Sequence, residues 1–215
     1  LLPKLILDMI DALKWRYATK KFDDSRKIDS DKIELLKKGF NLTPTSYGLQ
    51  PIRLVIIKDQ NLKDRLFEHS YNQIQVKTAS HILVICIENT VDEKFINHNF
   101  ELQKEIRKAE DEIVKPFRDF LIKDFTNRND QQIKAWGINQ AYLAMGNLLT
   151  ICAAEKIDAC PMEGFENKAY DDILNLHDKG ISSALVLPIG YRAEDDKFAD
   201  FKKVRRPQEE TIIEY

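Results

Sequence analysis

Residues 130–155 read as one long helix with apolar side chains on more than one side, a pattern that suits a central element better than a surface one. Its period sets Ile133, Trp136, Gln140, Leu143, Ala144, Asn147, Leu148, Ile151 and Ala154 on one broad face. Gly137, Ala141, Met145 and Gly146 add small or adaptable surfaces, which either admit a close neighbour or simply relieve crowding. The pattern predicts a helix packed against a sheet and against a second subunit.

Three runs supply the sheet: residues 52–58, 81–87 and 182–189, each dominated by Ile, Leu and Val. Helices are predicted around them. The first follows Pro3 and carries Leu5, Ile6, Met9, Ile10 and Leu13, ending near Lys14 to Tyr17. A second is capped by Asp29 or Ser30 and turns Ile33, Leu36 and Phe40 inward. Shorter ones fall near 60–69 and 72–79. Residues 92–124 alternate Glu and Lys at helical offsets and read as a solvated excursion interrupted at Pro116. No repeat or linker divides the chain, so it is expected to form one α+β or α/β domain. The closing Thr211-Ile212-Ile213-Glu214-Tyr215 is β-prone but too short to stand alone, and is expected to pair with something or fray.

Charge and motif content exclude several functions. Lys plus Arg is 33 and Asp plus Glu is 35, a formal balance of −2, so nothing draws the whole chain to nucleic acid. No apolar stretch reaches the ~20 residues of a membrane span. Leu1 to Asp8 meets an acid too early for a signal peptide, and without an initiating Met a short preceding segment is expected. Cys86, Cys152 and Cys160 read as reduced, buried thiols of a cytoplasmic protein. The four histidines show no metal-ligand spacing, and no metal is expected. GxSxG, GxGxxG and GxxxxGK[ST] are all missing, so a phosphate would have to be held some other way. Two basic islands offer one: Arg16/Lys20/Lys21 and Lys202/Lys203/Arg205/Arg206. Each island alone reads as solvated surface; convergence in space would make them a site.

Five segments occur in a telling order: Arg16-Tyr17-Ala18-Thr19-Lys20-Lys21-Phe22-Asp23, Pro44-Thr45-Ser46-Tyr47-Gly48-Leu49-Gln50-Pro51, Ala79-Ser80-His81, Pro161-Met162-Glu163-Gly164-Phe165 and Lys203-Val204-Arg205-Arg206-Pro207. Together they resemble the FMN-dependent nitroreductase family, especially its oxygen-insensitive NAD(P)H nitroreductase and dihydropteridine reductase-like branch, over about residues 9–210. The resemblance implies an α+β nitroreductase-like fold: a mostly antiparallel sheet flanked by helices, a long core and dimer helix, and C-terminal strand exchange. One FMN-binding domain would cover 1–215, with a helical excursion at about 92–128 and a partner-wrapping tail at about 198–215. The family is a homodimer with two FMN sites at the subunit interface.

By the same resemblance, Arg16, Arg205 and Lys203 attend the FMN phosphate, and Lys20 the N1–C2=O edge of the ring, with contacts from Tyr17 and Ala18. Ala18 stands where many relatives have Ser. Thr45, Ser46 and Gly48 form a second wall from the other subunit, Gly48 replacing an Asn. Asn72 and Gln75 meet the flavin edge, Gln75 replacing a Lys, and Gln140 approaches from the long helix. Pro161, Met162, Glu163 and Gly164 form a third wall near N5. Tyr71, Phe117, Phe120 and Phe125 are the implied substrate gate, although phenylalanines at helical spacing equally suit a core. The implied activity is ping-pong hydride transfer from NADH or NADPH through flavin N5 to a nitroaromatic, quinone or similar small aromatic acceptor. No protein side chain acts as a nucleophile. Other readings remain: a flavin-destroying or dehalogenating enzyme of the same fold, a non-enzymatic flavin-binding protein, or a plain scaffold.

Overall fold

The computed structural model describes residues 2–215, with side chains from Met9 onward. Four strands, β1 (Ile52–Ile57), β2 (His81–Glu88), β3 (Asp158–Ala159) and β4 (Ile181–Gly190), form one sheet in the order β1-β2-β4-β3. Every pairing is antiparallel: Leu54 lies opposite Ile85, Val84 opposite Val186, and Ala159 opposite Ile189. Strand β2 is flanked on both edges, and Ile82 to Ile87 are buried on both faces. Double burial explains why this strand is continuously apolar rather than alternating. Strand β3 has no counterpart in the sequence pattern, since two residues are too short to set a period.

The helices are α1 (Leu2–Trp15), α2 (Ser30–Asn41), α3 (Gln60–Glu68), α4 (Ile74–Thr78), α5 (Glu93–Arg107), α6 (Asp111–Thr126), α7 (Asp130–Ala154), α8 (Asn167–Ile173) and α9 (Gln208–Thr211). Helices α7 and α2 cover one face of the sheet, where Ala141, Ala144, Leu148 and Leu36 pack with Leu83, Ile85 and Leu187. On the other face Leu66, Val76, Phe165 and Tyr170 pack with Val84, Cys86 and Val186. A third cluster joins Ile96, Phe100, Leu121 and Phe125 of the α5–α6 hairpin to Leu49 and Val91 from the preceding loops. Each buried aliphatic side chain contributes roughly 1.5–3 kcal/mol of transfer free energy, so the two sheet faces dominate the core.

Helix α7 begins with a reciprocal cap: Asn129 Oδ1 accepts from Gln132 N and Gln132 Oε1 from Asn129 N, both at 2.9 Å. Its buried side is Gly137, Gln140, Ala141, Ala144, Met145, Leu148, Cys152 and Ala153. This corrects the expected face: Leu143 is 51% exposed, and Ala154 is exposed too. Close approach to the sheet selects the small residues; a β-carbon on Gly137 would already lie 3.4 Å from Ile87. Tyr142 and Leu143 are turned outward.

Two other expectations change. Pro116 lies inside α6. The break comes earlier, where Lys108 adopts a left-handed conformation at the end of α5. An exposed second turn tolerates the hydrogen bond that proline removes. In α1, Met9, Ile10 and Leu13 are exposed while Ala12 is buried; the side chains of Leu5 and Ile6 lie outside the described residues. The closing segment, expected to pair with something or fray, is exposed from Phe201 to Tyr215 in the single chain, where its only regular element is the short α9.

Candidate cofactor site

The irregular Arg16–Phe22 segment is pinned from both sides. Thr19 N donates to Ala159 O at 3.4 Å, Ala193 N to Lys21 O at 3.0 Å, and Asp23 N to Tyr191 O at 2.9 Å. Phe22 is buried as the anchor, with its N–H on Thr78 Oγ1 at 3.1 Å. Gly190 makes room for that ring, since a β-carbon there would come within 2.8 Å of Phe22 Cδ1. The carboxylate of Asp196 adds a third tie. Its Oδ2 accepts from Tyr17 Oη at 2.8 Å, Lys20 N at 2.9 Å and Lys21 N at 3.3 Å.

With that loop fixed, the two basic islands meet. Arg16, Lys20, Lys202, Lys203 and Arg205 line one cavity of about 290 Å³, together with Tyr17, Ala18, Phe198 and Phe201. Lys203 Nζ donates to the carbonyl of Arg16. Burial first, and then the neighbouring Arg205 charge, push the Arg16 guanidinium below its ordinary value; Lys203 is lowered by burial and by both arginines. Arg16 Nε is buried with no hydrogen-bond partner among the described residues. Repelling cations around an unsatisfied donor favour an anion with several acceptor oxygens.

The residues expected at the ring edge adjoin this cavity. Lys20 Nζ lies 3.7 Å from Cys160 Sγ, and Gln75 Nε2 lies 3.8 Å from the same sulfur and 3.7 Å from Met162 Sδ. Burial pushes the Cys160 thiol up, with Lys20 opposing, so the thiol is neutral near pH 7. The following turn is held to β4 by Cys160 N on Pro188 O at 3.0 Å and Met162 N on Val186 O at 2.8 Å. Gln73 Nε2 fixes its far end through Gly164 O at 2.8 Å, and Tyr142 donates its hydroxyl proton to Glu163. Tyr71 and Asn72 are exposed nearby, both left-handed, with φ of 51° and 53°. Between α7 and this turn, Tyr142, Met145, Gly146, Leu149, Met162 and Leu185 line a groove of about 440 Å³.

The remaining expected residues form a second cluster. Ser46 N donates to Gln140 Oε1 at 2.8 Å, and Gln140 Nε2 donates to Trp136 O at 3.0 Å. Thr45 Oγ1 accepts from Gln50 N at 2.9 Å. Gly48 adopts φ +69° and faces open space, since a β-carbon there would meet nothing within 4 Å; its carbonyl accepts from Asn99. Tyr47 stacks on Trp136 and meets Phe117 and Phe125 edge-on. Phe117 and Phe120 are exposed and stacked on each other at 6.2 Å. Phe125 is 2% exposed and packs against Trp136 at 4.9 Å, which removes it from the expected rim and makes it core. Among the described residues no hydrogen bond joins Thr45, Ser46 or Gly48 to the cationic cavity of the same chain.

The family model described as Nitroreductase matches residues 13–191. A Staphylococcus aureus (strain N315) protein whose name proposes an NAD(P)H nitroreductase is 33% identical, over 96% of this chain and 95% of its own length. The chain belongs to the nitroreductase family. Among solved structures, a Bacillus subtilis candidate nitroreductase superposes with a TM-score of 0.86 at 21% identity, covering 98% of this chain and 99% of that one. An Exiguobacterium sibiricum candidate nitroreductase, solved in complex with FMN, gives 0.81 at 19% identity, covering 96% and 97%. At these identities the two structures establish a common fold.

Within this nitroreductase-family chain, the donor set fits a phosphate-bearing flavin: the unsatisfied Arg16 Nε and its neighbouring cations suit the phosphate, and Lys20 with Gln75 offers donors farther along. Asp196, Gln73 and Cys160 join the site without any sign of it in the sequence. Asp196 stands among other acids in Glu194-Asp195-Asp196, and only folding shows which one turns inward.

Proposed function

We propose that this chain is an NAD(P)H-dependent FMN oxidoreductase of the nitroreductase family, reducing a nitroaromatic, quinone or related small aromatic acceptor. The observation that carries the reading is the meeting of Arg16, Lys20, Lys203 and Arg205, from opposite ends of the chain, in one cavity, with Lys20 reaching Cys160 just before the Pro161–Gly164 turn. Arg16, Lys203 and Arg205 would hold the phosphate, and Lys20 would place positive charge where the pyrimidine edge gathers negative charge on reduction. Bound FMN supplies two-electron hydride transfer between NAD(P)H and the acceptor. The chain's own residues bind, orient and neutralise; none is asked to act as a nucleophile.

The working unit in this reading is a homodimer of a single 1–215 domain, in the oxygen-insensitive, dihydropteridine reductase-like branch. Three outward features support a partner: Met9, Ile10 and Leu13 on α1, Tyr142 and Leu143 on α7, and the exposed tail with Val204, Ile212, Ile213 and Tyr215. A C₂ pair would let α7 meet its copy, let the tail at about 198–215 cross over to exchange a strand, and bring Thr45, Ser46 and Gly48 to the partner's cationic cavity. Tyr71, Phe117 and Phe120 would then rim the acceptor space. Among the described residues no helix is long and apolar enough to cross a membrane. A cytoplasmic location with no nucleic-acid partner is part of the proposal.

The deciding experiment is the visible spectrum of purified protein supplied with FMN, before and after anaerobic NADH or NADPH. Bound flavin that bleaches and is then reoxidised by a quinone or nitroaromatic supports the proposal. Bleaching without turnover of either acceptor would favour a flavin-destroying or dehalogenating enzyme. Bound flavin that never bleaches would indicate a flavin carrier, and failure to bind FMN would end the flavin reading.

A further inference from the structure

The Glu194-Asp195-Asp196 run joins β4 to the C-terminal basic island, and its third residue behaves unlike the others. Asp195 is exposed and pairs with Lys21 at 2.5 Å. Asp196 is 4% exposed, and no lysine or arginine ion pair reaches it among the described residues. Four donors satisfy it instead. Oδ2 takes Tyr17 Oη, Lys20 N and Lys21 N, and Oδ1 takes Phe198 N at 3.1 Å. Burial opposes ionisation of this carboxyl, and these hydrogen bonds outweigh it, so its pKa stays below the ordinary carboxylate value.

The position of these donors matters more than their number. Tyr17, Lys20 and Lys21 belong to the segment that brings Arg16 and Lys20 to the cavity; Phe198 opens the segment that brings Lys202, Lys203 and Arg205. The carboxylate is thus the hydrogen-bonded joint between the two halves of the cationic cavity. It grips Lys20 by its main-chain N–H while leaving the ammonium free to reach toward Cys160.

We propose that Asp196 is a positioning residue: its buried carboxylate fixes the main chain at Lys20 and thereby aims the Lys20 ammonium at the flavin edge. The inference rests on the flavin reading above, deepening it by one residue. An isosteric amide cannot replace the carboxylate. Asparagine offers one acceptor oxygen, and its NH₂ would face an N–H or O–H donor that now lacks a partner.

The test is Asp196→Asn in the wild-type and Lys20→Ala backgrounds, followed by FMN affinity and flavin midpoint potential. In the wild-type background the FMN dissociation constant should rise roughly tenfold, the order expected for losing one charge-assisted hydrogen bond, and the midpoint should fall. In the Lys20→Ala background the midpoint should fall no further, because the lever has gone. An unchanged or raised midpoint in the first background, or an equal fall in both, would overturn the proposal. Amide hydrogen exchange on flavin-free protein supplies an independent readout: Lys20 and Lys21 should exchange faster in Asp196→Asn while β2 keeps its protection. Unchanged exchange also overturns it. Should wild-type protein bind no FMN, the flavin reading fails, and exchange alone still decides whether the clamp exists. Tyr17→Phe, which removes a single donor, gives a milder version of the same exchange effect if Asp196→Asn does not fold.

Discussion

Lys203 Nζ donates to the main-chain carbonyl of Arg16, joining residues 187 positions apart. The contact brings the C-terminal basic island over the N-terminal one, and Arg205 completes the cavity they share. Arg205→Ala should therefore weaken FMN by roughly 10- to 100-fold, the range for a hydrogen bond to a charged group. Riboflavin, which has no phosphate, should lose little affinity. Flavin fluorescence titrations of both ligands check this; equal losses for the two would remove Arg205 from the phosphate.

Phe120 and Phe125 lie on the same helix five positions apart, yet they have opposite environments. Phe125 is buried against Trp136 and Leu121, so Phe125→Ala should cost ~3–5 kcal/mol of stability. Phe120 is 56% exposed, and its truncation should change stability little while altering KM for bulky acceptors. Urea denaturation separates the pair. Equal losses of stability would mean that Phe120 is also packed, against a partner.

Those two residues mark how far the sequence can be read. The strand runs and α2 are legible because burial leaves a clean period, and the basic islands because phosphate needs cations. Phe120 and Phe125 share one helical pattern, and that pattern alone does not say which side faces in. The face of α7 differs from its expected one for a related reason: with apolar residues nearly all round, the small Gly137, Ala141 and Ala144 decide which side approaches the sheet. Asp196 and Gln73 act through hydrogen bonds to main-chain atoms far away in sequence, which leave no mark on local composition.

The exposed apolar residues of α1 and α7 carry the dimer prediction. Ile10→Lys combined with Leu143→Lys should convert a dimer to a monomer, because two unpaired ammonium groups per chain would have to be buried at the C₂ contact. Light scattering after gel filtration measures this. FMN affinity should fall with the mass if the second wall comes from the partner. A monomeric wild type, or a monomeric variant with full affinity, would show that one chain builds the whole site.

His81 supplies a pH test remote from the flavin. Ser80 Oγ accepts from Ile28 N at 2.9 Å and lies 3.0 Å from His81 Nδ1. Burial first, then the charges of Lys63, Lys27 and Lys58, lower the imidazole pKa from 6.5. Glu34 shares the adjoining cavity but is committed to Lys37 at 2.6 Å. A folded-state pKa below the unfolded one means that the unfolded chain binds the extra proton first as pH falls. The contribution is therefore fully present above pH 6.5 and is lost as the pH drops through the folded-state value. Wild-type unfolding midpoints in urea should fall more steeply between about pH 7.5 and pH 5 than those of His81→Gln, whose amide can still pair with Ser80 Oγ without titrating. Parallel curves for the two proteins would place the imidazole in solvent, with an ordinary pKa.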